Sequence, residues 1–214
     1  MYDLHTHTTM SDGELLPTEL IRRAAVLGYT IIGITDHADA SNIDTLVQTT
    51  EKVRASARSY GVRLLTGVEI THVPPDEIAV LAARAKAAGA DIVIVHGETT
   101  VEPVAPGTNA AACACPDVDV LAHPGLISDE DARMAAANTI ALEITARGGH
   151  NRTNGHIVQV ARATGCRLVV NSDGHAPGDL MTADDRTAVA RGAGMTEEEC
   201  RTALDIASLA WLLA

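Results

Sequence analysis

Near its start the chain reads Tyr2-Asp3-Leu4-His5-Thr6-His7, and further on Ile31-Ile32-Gly33-Ile34-Thr35-Asp36-His37. Both stretches are short hydrophobic runs that end in histidine. Runs of aliphatic and β-branched residues without polar alternation are typical of parallel strands buried on both faces. These two stretches therefore predict a parallel sheet whose strands carry reactive side chains at their carboxyl ends.

Five further runs of this kind follow, separated by alanine-rich amphipathic segments, which is the pattern of βα units around a parallel sheet. The predicted strands lie near residues 2–7, 30–36, 63–70, 91–96, 119–123, 140–145 and 168–173. Helices are predicted near 17–28, 41–60, 75–88 and 151–164, with a capped final helix near 196–213. Their caps would be Ser41 and Asn151, and their stops Gly28, Gly61 and Gly165. No linker divides the chain, so we predict one α/β barrel domain over residues 1–214.

Composition limits the possible functions. The 214 residues carry a formal net charge of −12, with no Phe, one Trp and three Tyr. An acidic chain repels phosphate backbones and has few rings on which bases could stack, so long nucleic acids are not expected partners. No run approaches the ~18 apolar residues that cross a bilayer, and no signal peptide precedes the first strand. We expect a soluble, cytoplasmic protein without membrane contact.

Two segments have less obvious roles. The stretch 97–112 is the longest without a predicted element, and loops of that length are usually functional, so it is a candidate lid. The four cysteines form no disulfide framework or zinc motif, and we expect buried free thiols. They are Cys113, Cys115, Cys166 and Cys200.

The first and last strands place metal-binding side chains on one face. His5 and His7 are two residues apart and so point to the same side of a strand. Asp173 and His175 repeat this spacing on the last strand, which lies beside the first in a closed barrel. An isolated His-x-His pair is more often a satisfied core pair, and Asp173 alone would be a turn residue before Gly174.

Metal-binding side chains at further strand ends favour a metal site over separate structural roles. Glu69, His96 and His123 end the third, fourth and fifth strands, His37 follows the second, and Asp12 lies in the first loop. Taken singly, each is more often a capping or supporting group. Together they lie where barrel enzymes carry their active sites, so we predict a metal centre. Its ligands are His5, His7, Asp12, His37, Glu69, His96, His123, Asp173 and His175.

The order of these motifs resembles the PHP family, the polymerase and histidinol phosphatase domain. The motifs are His-x-His followed by Ser-Asp-Gly, then Thr-Asp-His, Gly-Val-Glu-Ile, a strand-end His, His-Pro-Gly and Ser-Asp-x-His, all within residues 2–175. The resemblance implies a distorted (β/α)7 TIM-like barrel with a trinuclear centre. His5, His7, Glu69 and Asp173 would hold one ion. Glu69 would bridge to a second ion on His96 and His123, and a third would lie on Asp12, His37 and His175. Many relatives have His at the position of Asp12.

The mixed His and carboxylate set suits two or three divalent ions of Zn, Mn or Fe. A hydroxide that bridges two cations is a nucleophile at neutral pH, so we expect a metal-dependent phosphatase acting on a small phosphate monoester, for example histidinol phosphate. Arg147 and Arg152, after the sixth strand, are candidate phosphate-binding residues, although such arginines are also commonly only solvated. His150 is the candidate proton donor, His72 a weaker one, and His156 a structural residue. The alternatives are a nucleotide phosphatase or phosphodiesterase, or a non-catalytic metal-binding module.

Overall fold

Eight short strands form one parallel sheet in the computed structural model, which describes residues 1–213. The strands are β1 (Tyr2–Asp3), β2 (Ile31–Ile34), β3 (His37–Ala38), β4 (Arg63–Ile70), β5 (Ile92–His96), β6 (Val120–Ala122), β7 (Ala141–Thr145) and β8 (Leu168–Asn171). β3 continues the line of β2 and pairs with β4. The barrel wall therefore has seven strand positions, in the order β1-β2-β4-β5-β6-β7-β8. This confirms the predicted seven-stranded barrel.

Helices follow the strands around the outside. They are α1 (Pro17–Leu27), α2 (Ile43–Glu51), α3 (Arg54–Ser59), α4 (Ile78–Ala87), α5 (Thr108–Cys113), α6 (Asp129–Ala137), α7 (Asn154–Thr164), α8 (Ala183–Gly192), α9 (Glu197–Leu204) and α10 (Ala210–Leu213). Single 3₁₀ turns occur at Pro75–Glu77, His150–Thr153, Pro177–Asp179 and Ile206–Leu209. Among residues 1–213, no helix has the length and apolar character needed to cross a membrane.

The barrel closes between its first and last strands through side chains as much as backbone. The Leu4 amide donates to Asn171 Oδ1 at 3.0 Å, and the His5 amide donates to Asp3 Oδ1 at 3.2 Å. Only beyond them does the backbone pair again, where the His7 amide donates to the Gly174 carbonyl at 2.9 Å. The predicted strand 2–7 therefore shortens to Tyr2–Asp3, because side chains take the amides that a ladder would use.

Two hydrophobic layers surround this sheet. The inner layer fills the barrel, and its members include Leu4, Ile31, Leu65, Ile92 and Val169. It leaves little room between strands: a Cβ on Gly33 would lie 2.4 Å from the Leu4 carbonyl oxygen, which explains a glycine inside an apolar strand. The outer layer joins the strands to the helices.

Three predicted helices have different limits in the structure. The helix predicted near 75–88 begins at Ile78, after the 3₁₀ turn Pro75–Glu77. The predicted helix 41–60 is two helices, and at the break Arg54 bonds to the Leu64 carbonyl at 2.8 Å and to Asp91 at 2.6 Å. The helix predicted from Asn151 begins at Asn154, after a 3₁₀ turn. The Asn154 side chain there ties the helix to the Thr145 backbone at 2.8 Å. The stops at Gly28 and Gly165 are confirmed.

The final segment is capped as predicted but is not one helix. Thr196 caps α9, which ends at Leu204 because Asp205 is extended and caps the following 3₁₀ turn. That turn places Leu209, which is 0% exposed, against the inner layer at the amino-terminal end of the barrel. The tail therefore closes the barrel floor.

Candidate metal centre

All nine predicted ligands lie at the carboxyl end of the barrel. His5, His7 and Glu69 are completely buried at the bottom of this end. The others line the wall of a cavity of about 430 Å³ above them: Asp12, His37, His96, His123, Asp173 and His175. The structure therefore brings together side chains that are up to 170 residues apart, since Thr6 and Gly174 are bridged neighbours.

The innermost group consists of His5, His7, Glu69 and Asp173. His5 Nε2 lies 3.3 Å from Glu69 Oε1, and His7 Nε2 lies 3.2 Å from Asp173 Oδ1. The two Nε2 atoms are 3.1 Å apart. Ligands bound at about 2.1 Å to one ion lie about 3 to 3.5 Å from each other. His5, His7 and Glu69 therefore have donor atoms close enough to share one ion, and Asp173 Oδ1 lies 3.8 Å from His5 Nε2 and 3.2 Å from His7 Nε2.

A second group lies on the side of β3. Asp12 Oδ1 is 3.4 Å from His37 Nε2, 3.3 Å from His175 Nε2 and 4.0 Å from His7 Nδ1. His7 thus faces the innermost group with one ring nitrogen and Asp12 with the other. Glu69 connects to this group as well, because its Oε2 lies 2.7 Å from His37 Nδ1.

The third group lies on the side of β5 and β6. His123 Nε2 is 3.5 Å from both Glu69 Oε1 and Asp173 Oδ2. The His96 ring centroid is 4.5 Å from that of His123. His150, predicted as a proton donor, has its ring 4.3 Å from that of His123 and forms a compact trio with His123 and His96. It therefore occupies the place of a further ligand.

The hydrogen bonds of the imidazoles show that these groups fit cations. His5 Nδ1 is 2.8 Å from Glu143 Oε1 and His175 Nδ1 is 2.9 Å from the Asp173 carbonyl. Both partners only accept, so each Nδ1 carries the hydrogen, and in a neutral ring the bare Nε2 lone pair then faces another carboxylate. Such a contact is favourable when a metal ion lies between the two atoms or when Nε2 carries a proton. Burial opposes charge on His5, but Glu143, Glu69 and Asp173 together outweigh it and raise the pKa of His5 well above its usual value, so a bound metal would replace that proton. Among residues 1–213, His7 Nδ1, His123 Nδ1 and Glu69 Oε1 are also buried without a hydrogen-bond partner.

Burial and charge move the pKa values in the same site in opposite directions. Burial raises the pKa of Asp173 to about 7, and burial lowers the pKa of His96 and His150 to about 4. Burial also opposes charge on His37, but the hydrogen bond to Glu69 and the negative charges of Glu69 and Asp12 together outweigh it and raise the pKa of His37 to about 9. Neutral rings of low pKa are ready to bind a metal, whereas His37 must first lose a proton.

Two residues of the centre escaped the sequence analysis. Glu143, on β7, is completely buried, accepts from His5 and Asn171, and takes the His123 amide at 3.1 Å. It fixes the ring of one candidate ligand and the backbone of another. A lone acid inside the apolar run 140–145 was the available signal. Asp3 is also buried, and burial raises its pKa to about 6.

Asp36, which precedes His37, bonds to the loop after β1 and not to that ring. Its carboxylate accepts from the Thr8 amide at 2.7 Å and from the Ser11 hydroxyl at 2.6 Å. Asp36 therefore orders the loop that carries Asp12. Gly13 is required in that loop because a Cβ would lie 2.5 Å from the His7 carbonyl carbon.

The two arginines predicted to bind substrate lie in different surroundings. Arg147 lines the cavity and lies 3.5 Å from Asp179, whereas Arg152 is exposed and does not line the cavity. His156 bonds to the Ile127 carbonyl at 2.8 Å, in keeping with a structural role. The four cysteines are free and buried, away from the ligands.

The predicted loop 97–112 is shorter than expected, because α5 begins at Thr108. The remaining loop, residues 97–107, brings Glu102 to the rim of the cavity beside His72, His96 and His150. Sequence reasoning missed Glu102, since nothing in a stretch without a predicted element indicates which residue turns inward.

Comparison with known proteins agrees with this geometry. The PHP domain family model matches residues 3–98. The chain is 47% identical over 205 residues to an uncharacterized protein of Methanocaldococcus jannaschii, covering 95% of this chain and 94% of that protein. It is 26% identical to ribonuclease P protein component 3 of Methanosarcina barkeri, covering 96% of this chain and 85% of that protein. It is also 41% identical over 69 residues to a 3',5'-nucleoside bisphosphate phosphatase of Chromobacterium violaceum, but this covers only 32% of this chain and 22% of that protein.

A solved structure shows the same fold. It is a two-domain protein from Bacteroides vulgatus that contains a predicted PHP-like metal-dependent phosphoesterase, and it aligns with a TM-score of 0.54 at 16% identity. The alignment covers 95% of this chain and 62% of that protein. The family match begins at β1 and ends just after His96, so it includes six of the predicted ligands. With its barrel, its ordered motifs and these matches, the chain belongs to the PHP family.

Proposed function

We propose that the protein is a metal-dependent phosphoesterase that hydrolyses a small phosphate ester. The observation that carries this proposal is the complete donor set, in which the Nε2 atoms of His5 and His175 each lie 3.3 Å from a carboxylate oxygen, of Glu69 and Asp12 respectively. Bound Zn, Mn or Fe ions, two or three per chain, would activate water and stabilise charge on the phosphate oxygens.

The residues around the donors have separate tasks in this proposal. Glu143 and Asp36 hold ligands and loops in place, and the barrel interior excludes water from below. Arg147, which lines the mouth, binds a phosphate oxygen pair, and Arg152 has no part. His150 suits a neutral ligand better than a proton donor, because its low pKa leaves the ring uncharged near pH 7.

Among substrates, the named relatives favour nucleotides over histidinol phosphate. The phosphatase from Chromobacterium violaceum acts on a nucleoside bisphosphate, and its match to this chain is local. The acidic chain, with 28 Asp and Glu against 16 Lys and Arg, supports a small substrate over a long nucleic acid. We therefore place nucleoside phosphates first, histidinol phosphate second, and phosphodiesters third.

A second candidate function is a non-catalytic subunit. The ribonuclease P component supports it, since that relative matches nearly the whole chain. The experiment is hydrolysis of an aryl phosphate, histidinol phosphate and a nucleoside 3',5'-bisphosphate with added Mn, Zn or Fe. Phosphate release that stops with chelator and in Asp173→Asn supports the phosphoesterase. Full metal loading without hydrolysis of any substrate supports the subunit.

A further inference from the structure

Glu102 reaches three imidazoles: His72 from the segment after β4, His96 from the end of β5, and His150 from the 3₁₀ turn after β7. Its Oε2 lies 3.1 Å from His96 Nε2 and 3.3 Å from His72 Nε2, and its Oε1 lies 3.4 Å from His150 Nε2. His72, His96 and Glu102 have ligand atoms close enough to share one ion, as do His96, His123 and His150. None of Glu102, His72 and His150 is among the nine ligands that the sequence motifs indicated.

The hydrogen bonding of His96 leaves its Nε2 available to bind a cation at this place. His96 Nδ1 lies 3.1 Å from the Gly97 carbonyl, which only accepts, so Nδ1 carries the hydrogen. In a neutral ring, Nε2 then presents a lone pair to the Glu102 carboxylate. His150 is a second indication of a cation site, because it is only 7% exposed and its Nδ1 has no hydrogen-bond partner among residues 1–213.

The loop that carries Glu102 is anchored at its base. Glu98 Oε1 accepts the Gly107 and Asn109 amides at 3.0 and 2.9 Å, and the Asn109 side chain bonds to the Pro124 carbonyl at 2.8 Å. In contrast, Glu102 near the tip is 39% exposed and meets the barrel through the three imidazoles. The position of the tip thus depends on what lies between Glu102 and these rings.

We propose that Glu102 is a further metal ligand, which joins His96 in binding one divalent ion, flanked by His72 and His150, and thereby closes residues 97–107 over the mouth. His96, at the end of β5, and Glu102, on the loop that follows, then bind the same ion, so metal binding and closure of the loop are one event. This inference rests on the metal dependence of the proposed function but not on its substrate.

The test uses the metal-free full-length protein, titrated with Zn²⁺ or Mn²⁺ by calorimetry, with hydrogen exchange of residues 99–106 as the second readout. In the wild type we expect the ion to increase protection of this loop. In Glu102→Gln we expect one ion to bind about tenfold or more weakly and the loop to gain no protection. Glu98→Gln is the matched control, because its amide oxygen still accepts the two backbone bonds, and it should behave as the wild type.

Two results would overturn the proposal. One is equal affinity of Glu102→Gln and wild type for every ion. The other is a loop that loses protection, or does not change, when metal is added to the wild type, which would show that Glu102 only pairs with protonated imidazoles. Both readouts are independent of turnover, so an inactive protein that passes them refutes the phosphoesterase and leaves the ligand assignment standing. Circular dichroism without metal checks that Glu102→Gln is folded.

Discussion

Glu143 Oε1 lies 2.8 Å from His5 Nδ1, and both side chains are completely buried. The carboxylate fixes the tautomer in which Nε2 points to the metal centre. Glu143→Gln cannot accept as many hydrogen bonds from His5, Asn171 and the His123 amide. We expect it to weaken metal binding about 10- to 100-fold while the protein stays folded. Metal titration by calorimetry checks this, with the exposed Glu130→Gln as the control. Equal affinities in both variants would contradict the role.

The pKa of His37 predicts proton release on metal binding. Because this pKa is about 9, the metal-free ring is protonated at pH 7 and must lose its proton to become a ligand. Metal affinity should therefore rise with pH up to about 9 and then level. Calorimetry at pH 7 in buffers of different ionisation enthalpy measures the protons released. His37→Asn should release fewer of them, and an unchanged number would show that the proton comes from another group.

Asp173→Asn should affect stability with opposite signs in the presence and absence of metal. The folded pKa of about 7 is above the usual value of 3.8, so the contribution of Asp173 to stability is lost as pH rises through 7. At pH 8 with chelator, the variant should melt at or above the wild-type temperature. Asparagine also tolerates the positive φ of 51° at this position. With metal it should melt lower, because a ligand charge is gone.

Elemental analysis should give two or three transition-metal ions per chain. The donor atoms form three groups, more than one ion can use. Removing the ions should lower the melting temperature by about 5 to 10 °C, relative to protein in a free metal concentration of about 100 times the dissociation constant. His5→Ala should behave like the stripped protein and lack activity. A wild-type preparation that saturates at one ion would refute the multinuclear centre.

The two arginines after β7 should differ in their effects. Arg147→Lys removes the planar pair of donors at the cavity and should lower kcat/KM about tenfold, in line with the loss of about 1.5 kcal/mol for a charged hydrogen bond. Arg152→Lys, outside the cavity, should leave kcat/KM unchanged. Metal content should be the same in both. If both variants retain wild-type kcat/KM, phosphate is bound without arginine.

Leu209→Ala tests the barrel floor. Leu209 is fully buried against the inner layer, so its truncation should cost about 2 to 5 kcal/mol of unfolding free energy. Leu126→Ala is the matched control, because Leu126 is 68% exposed. Urea denaturation compares the two. A loss below 1 kcal/mol in Leu209→Ala would mean that the tail packs only loosely.

The sequence was sufficient for the strands and for the residues at their ends, because continuous apolar runs and single strand-end ligands are local signals. It was not sufficient where function depends on which way a loop folds. Asp36 turns back to the loop of Asp12, and Glu102 turns inward from a stretch without periodicity. Neither direction is determined by neighbouring residues, since each depends on partners far along the chain.

Helix limits failed for a related reason. Start and stop residues predicted Gly28 and Gly165 correctly, where a left-handed backbone ends the helix. The break before Arg54 and the delayed start at Asn154 follow from bonds to Leu64 and Thr145 instead. Such tertiary bonds override local propensity, and a single sequence carries no sign of them.

The closed floor also determines how material passes through the protein. Because the tail packs Leu209 against the inner layer, the mouth is the route by which both reactant and product travel. In the proposed phosphoesterase, a released phosphate would leave through the opening that the next substrate molecule must enter. Inorganic phosphate should therefore compete with substrate, and turnover should slow as product accumulates.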